Sequence, residues 1–170
     1  MARLARGGPS PRLCCGSQSA RDVLRLARRR GEVSEGGRSP PPSYLVQYSP
    51  TLIDHFRNPR NAGVMREPDG VGEEEFTECM DLARFYLRVR DGRVEEARFQ
   101  AYGCGPTLAA CSAGTEMAAG FTLEDLATVP PARIEAAVGG LPPERRHAAL
   151  VVAGALRAAA RNALARNGQR

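Results

Sequence analysis

Residues 81–102 read DLARFYLRVRDGRVEEARFQAY, and the fold turns on how this stretch is read. Ala83, Phe85, Leu87 and Val89 alternate with Arg84, Tyr86 and Arg88, the period-two pattern of a half-buried strand. Asp91-Gly92 is a strong hairpin turn signal. The return strand sets Ala97, Phe99 and Ala101 against Arg98 and Gln100. Two registers compete. A two-residue loop pairs Arg90 with Arg93 and would set Cys79 opposite Cys104, but it leaves Phe85 beside Arg98. A three-residue loop pairs Phe85 with Ala97 or Phe99 and sets Cys79 opposite Gly103 or Gly105. The face-matched register is preferred, because one face must be buried. In both registers Cys79 and Cys104 end up at the same end of the hairpin, where Gly103 and Gly105 let the backbone turn.

Upstream, Ser49-Pro50 supplies a cap and a first-turn proline for a short helix through Leu52, Ile53 and Phe56. Asn58-Pro59 ends it. Gly63, Pro68, Gly70 and Gly72 then predict a loop, and the acidic run Glu73–Glu75 reads as solvated loop as well. Downstream, Pro106 opens a small-residue helix reaching about Gly120. Thr122 and Asp125 suggest a capping box, Pro130-Pro131 begins a further helix stopped by Gly139-Gly140, and Pro142-Pro143 begins an Ala-rich helix to about Asn167. Helix, strands, then a run of helices predict an α+β fold with helices on one face of a small antiparallel sheet.

Composition narrows the function. The 170 residues carry 24 basic side chains, all Arg, against 19 acids. Without lysine, Schiff-base chemistry on this chain is excluded. Residues 1–43 hold nine Arg and three acids, a net of +6; residues 44–170 hold 15 Arg and 16 acids, a net of −1. The expected folded domain, 44–167, is near neutral, so nucleic acid is not the expected partner. Residues 1–43, rich in Arg, Pro, Gly and Ser, are expected to be a disordered tail; a transit peptide is the rival reading. The corresponding location is cytoplasmic, or an organelle matrix on the rival reading. No apolar run is judged long enough for the roughly 20 residues of a membrane span. Five Cys (14, 15, 79, 104 and 111) at irregular spacing do not make a disulfide framework and point to a reducing compartment with metal or thiolate chemistry.

Three pieces carry that chemistry: Cys79-Met80-Asp81, Gly103-Cys104-Gly105, and Leu141-Pro142-Pro143-Glu144-Arg145-Arg146-His147. If the strand extends far enough, Cys79 and Asp81 project from one face. Cys104 precedes a helix N-terminus, whose dipole favours thiolate. His147 falls in the first turn of the last helix. Cys79, Asp81, Cys104 and His147 thus make a four-donor set for zinc or an iron–sulfur cluster. The plain alternatives are two buried thiols, a strand-edge carboxylate and a solvent-facing histidine. Cys111 lies about 10 Å along the helix from Cys104, too far to share a metal, and reads as a small buried residue. His55 reads as structural.

The same residues resemble the IscU/NifU N-terminal family of iron–sulfur cluster assembly scaffolds. The matches are Tyr48-Ser49-Pro50, Asp54-His55-Phe56-Arg57-Asn58-Pro59-Arg60-Asn61-Ala62-Gly63, Cys79-x-Asp81, Tyr102-Gly103-Cys104-Gly105, Thr115-Glu116-Met117 and Leu141-Pro142-Pro143-x-x-x-His147. The resemblance implies a three-stranded antiparallel sheet with helices on one face and a non-enzymatic scaffold. It also implies Cys79, Asp81, Cys104 and His147 as site positions for a transient [2Fe–2S] cluster or zinc. Implied partners are a cysteine desulfurase, apo iron–sulfur proteins and a chaperone; a homodimer would share a cluster. The chain departs from that pattern at three places. Ala148 stands where a third Cys usually follows the His, Met80 stands where Gly is usual, and Leu-Pro-Pro continues without the usual Lys. Two rival functions follow from the missing thiol: a zinc-bound sulfur-transfer partner of a desulfurase, and a degenerate interaction module.

Overall fold

A computed structural model describes residues 48–168; the expected tail, residues 1–43, with Cys14 and Cys15, lies outside them. The order is α1 (Pro50–Arg57), β1 (Gly70–Phe76), β2 (Asp81–Arg90), β3 (Arg93–Tyr102), α2 (Gly105–Ala118), α3 (Leu123–Ala127), α4 (Pro131–Ala137), a 3-10 turn (Pro143–Arg145) and α5 (His147–Asn167). The three strands form one antiparallel sheet in the order β1-β2-β3. This is the α+β class that the alternating pattern predicts.

The hairpin resolves the register question by using both candidates. Asp91 and Gly92 each have positive φ, 52° and 74°, so the turn is the two-residue type matched to strand twist. Arg90 pairs with Arg93 and Val89 with Val94, yet Phe85 pairs with Phe99 and Ala83 with Ala101. An irregularity at Arg88/Val89 absorbs the difference, with Glu95 as the extra residue on β3. The expected three-residue loop is therefore incorrect, while the face-matched register holds. The extra residue sits in a bulge because burial of Phe85 and Phe99 fixes one end and Asp-Gly fixes the other.

The acidic run is a second correction. Glu73, Glu74 and Glu75 lie within β1, paired to Arg84, Ala83 and Leu82. Glycine and glutamate are poor strand formers, so the local sequence hides this strand. Tertiary packing makes it: a Cβ on Gly72 would collide with the α5 backbone at Ala155 and Ala159, so β1 can lie directly against the helix. Asn162 Oδ1 accepts from the Val71 N–H at 3.1 Å.

The core lies between the sheet and the helices. Phe85, Leu87, Ala97 and Phe99 from the sheet meet Ala109, Ala110 and Ala113 of α2 and Val151, Val152, Leu156 and Ala159 of α5. Each large buried side chain contributes about 1.5–3 kcal/mol, and the alanines allow the close approach of backbones. The opposite sheet face is polar: Arg88 and Arg98 both pair with Glu96, at 2.8 and 2.7 Å. Residues 61–63 run beside the outer edge of β3 through Gly63 N–H to Phe99 O and Phe99 N–H to Asn61 O. They shield an otherwise open strand edge.

The final helix needs a third correction. With the preceding turn, Pro143–Asn167 is long and apolar enough to cross a membrane by length and composition, contrary to the expectation that no segment is. Its apolar stripe is instead packed in the protein core.

Candidate metal centre

Three elements converge at the open end of the hairpin. Asp81 begins β2, Cys104 is the N-cap residue of α2, and His147 is the first residue of α5. One ligand atom from each lies within 4.8 Å of the others. His147 Nε2 is 3.0 Å from Asp81 Oδ2, Cys104 Sγ is 3.5 Å from the same oxygen, and Sγ and Nε2 are 4.0 Å apart. A tetrahedral zinc site with bonds of about 2.0–2.3 Å has ligand–ligand edges of about 3.3–3.8 Å. The three distances bracket that edge, so sulfur, nitrogen and oxygen already outline one face of a coordination tetrahedron.

The local sequence explains the convergence. Gly103 has φ 148°, and a Cβ there would collide with Asp81 Oδ1. Only a residue without a side chain lets the carboxylate fold under the strand end. Asp81 Oδ1 then accepts the Cys104 backbone N–H at 2.9 Å, one of the donors a helix start leaves free. Thr107, one turn into α2, donates its hydroxyl to Asp81 Oδ2 at 2.6 Å and lies 3.3 Å from Cys104 Sγ. The Phe76 ring stacks on the His147 imidazole, with centroids 5.1 Å apart and planes 15° off parallel. Asp81 and His147 are buried.

Cys104 behaves differently from the sequence expectation. Burial pushes its thiol above the ordinary value, ahead of the hydrogen bonds from Thr107 that favour the thiolate. The helix start alone therefore does not hold Cys104 as thiolate; a cation would have to.

Cys79 is not part of the convergent group. The strand starts at Asp81, so Cys79 sits in the exposed β1–β2 turn rather than on the same strand face. Met80 beside it has φ 54° and is 78% exposed. That backbone is one glycine adopts without cost. Ala148 is fully buried behind His147 and supplies no donor. Cys111 is fully buried, its thiol pushed far up by burial, in agreement with a packing role. Arg145 Nε is the buried side-chain nitrogen left without a partner among the described residues.

Sequence reasoning missed Thr107 and Phe76. Thr107 had a usable signal, since it stands three residues after the N-cap, where a side chain reaches back to the helix start. Phe76 ends the strand that the sequence concealed.

A thiol, an imidazole and a carboxylate gathered at one hairpin end make this an α+β domain with a candidate metal site. The NifU-like N terminal domain model matches residues 47–170, and the chain belongs to that family. It is 39% identical over 122 residues to an iron-sulfur cluster assembly scaffold protein IscU of Archaeoglobus fulgidus, covering 72% of this chain and 80% of that protein. It is 36% identical over 121 residues to the iron-sulfur cluster assembly scaffold protein IscU of Azotobacter vinelandii, covering 69% and 94%. In fold it is similar to the crystal structure of a nitrogen-fixing NifU-like protein (N-terminal) from Brucella abortus. There the TM-score is 0.56 at 20% identity, covering 69% of this chain and 94% of that one.

Proposed function

We propose that the protein is an iron–sulfur cluster assembly scaffold, which holds iron and sulfide transiently and passes the cluster to apo-proteins. The observation that carries this reading is the three-donor face of Asp81, Cys104 and His147. Its soft and borderline donors suit iron or zinc, and three donors leave a fourth position for a further thiol.

Cys79 supplies that fourth position and receives sulfur. Among the described thiols it is the exposed one, on a turn two residues from Asp81, whereas Cys104 is half-buried and burial pushes its thiol up. Its thiolate attacks the outer sulfur of a persulfide on a cysteine desulfurase. A new S–S bond forms on Cys79, the old one breaks, and the desulfurase cysteine leaves as thiolate. An external reductant must then deliver two electrons to convert the sulfane sulfur to the sulfide of a cluster, proposed as [2Fe–2S]. Asp81, already sharing its oxygens with Thr107 and the Cys104 N–H, is the weakest of the four donors and the natural one to release the cargo. The unpartnered Arg145 nitrogen offsets the negative charge of a thiolate-bound cluster.

The test is anaerobic reconstitution with ferrous iron and sulfide, followed by addition of an apo-ferredoxin. Loss of the scaffold's visible circular dichroism with gain of the ferredoxin signal is expected. A cluster that never moves, or none formed, would refute the scaffold reading. The mixed sulfur, nitrogen and oxygen set also favours a second reading, a zinc-bound sulfur-transfer partner of the desulfurase. That reading expects tightly held zinc, persulfide on Cys79 and no cluster.

A further inference from the structure

Asp81 Oδ2 is the acceptor hub of the site, taking Thr107 Oγ1–H at 2.6 Å, His147 Nε2 at 3.0 Å and Cys104 Sγ–H at 3.5 Å. Two of these three bonds cannot survive loading. Once His147 Nε2 and Cys104 Sγ give their lone pairs to a metal, neither has a proton to offer the carboxylate. The Cys104 N–H on Oδ1 and the Thr107 hydroxyl on Oδ2 are then the donors left holding Asp81.

From this we infer that Thr107 is a positioning residue of the metal site: its hydroxyl fixes the Asp81 carboxylate so that a single oxygen faces the cargo beside Cys104 and His147. The inference rests on the metal-binding part of the proposed function and adds a residue to it. Thr107 is suited to the task. It is fully buried, so water does not compete for its proton. Its branched side chain sits in the first turn of α2, where few rotamers are open to it. The same oxygen lies 3.3 Å from Cys104 Sγ, so the hydroxyl packs against the thiol while its one proton goes to the carboxylate. With one oxygen bonded to Thr107 and the other to a backbone N–H, the carboxylate cannot swing to chelate through both. Asp81 remains a one-point ligand.

The experiment is a cobalt(II) titration of the full chain, read by the sulfur-to-cobalt charge-transfer band and the ligand-field bands that report geometry. Thr107→Val keeps the volume and removes the hydroxyl; Thr107→Ala removes it without any chance of overpacking; Thr107→Ser restores it. Loss of an outer partner of a metal ligand costs about 10–100-fold in affinity. Valine and alanine variants should therefore bind cobalt at least about tenfold more weakly, with altered ligand-field bands, and serine should recover both. Wild-type affinity and spectrum in the valine or alanine variant would overturn the inference, as would serine failing to rescue. Failure of the wild type to bind cobalt at all would overturn both this inference and the metal-site reading beneath it, which separates the two failures.

Discussion

Helix α2 carries two buried polar clusters, each built around a histidine, and their difference shows what makes one of them a site. At its start, His147 meets Asp81 and Cys104, and Thr107 donates to the same Asp81 carboxylate. Two turns later, Ser112 Oγ lies 2.9 Å from His55 Nδ1, accepts the Arg60 N–H at 2.9 Å, and ties α1 to α2. Arg60 Nη1 donates to the same His55 nitrogen at 3.0 Å, and His55 Nε2 faces Glu116 at 3.6 Å. Every imidazole nitrogen of His55 is taken, and a guanidinium occupies the place a metal would need. Among the described residues no guanidinium bonds to His147, and its partners Asp81 Oδ2 and Cys104 Sγ are themselves ligand atoms. Both clusters contain histidine, carboxylate and hydroxyl. An arginine closes the His55 cluster as a brace, whereas the His147 cluster holds a thiol in that place and makes a candidate metal site.

The largest effect should come from removing a donor on one side of that contrast. Cys104→Ser or His147→Ala should lower zinc affinity by about 100-fold or more in a competition titration, since even outer-partner losses reach that range. His55→Asn should leave zinc affinity unchanged. If it weakened binding equally, the two clusters would not be separable. Next, Ala148→Cys places a thiol beside the site and inside a packed region. It should lengthen the lifetime of a reconstituted cluster, followed by visible absorbance, and cost about 1–3 kcal/mol of stability through overpacking.

On the bracing side, Ser112→Ala leaves His55 and the Arg60 N–H short of a partner. It should cost about 1–3 kcal/mol in urea unfolding and leave metal binding intact. The smallest effect is a pH slope. Burial, followed by the charge of Arg60, holds His55 below its ordinary value of 6.5, against the pull of Glu116 and Asp54. The unfolded chain therefore takes up the proton first as pH falls. The His55 contribution should be complete above about pH 6.5 and lost as pH drops through the lowered folded value. Urea midpoints measured from about pH 7 to about pH 5 should show this slope in the wild type and a shallower one in His55→Asn.

The hairpin was legible because two independent signals, the alternation around Phe85 and the Asp91-Gly92 turn, both survive in sequence. Their apparent conflict was itself information, since a bulge is what reconciles them. Strand β1 was not legible: Gly70, Gly72 and three glutamates have no strand propensity, and only contact with α5 explains them. Proline and glycine marked the helix starts and stops, because those residues act through their own backbone. At the site, the closeness of Asp81 and Cys104 could be anticipated from the hairpin end, whereas His147 was pointed to by the family resemblance. Where Cys79 would sit could not, because it depends on β2 beginning at Asp81 rather than two residues earlier. The raised thiol of Cys104 was hidden as well, since burial opposes the helix start and only packing reveals its extent.

The most direct measurement is iron, sulfide and zinc content, with the visible spectrum, of the wild type and Cys104→Ser after the same anaerobic reconstitution. The wild type should hold iron and sulfide in equal amounts, with sulfur-to-iron charge-transfer bands, and the variant should hold neither. Equal metal content in the two proteins, or no bound metal in the wild type, would contradict the claim that these three side chains form a working site.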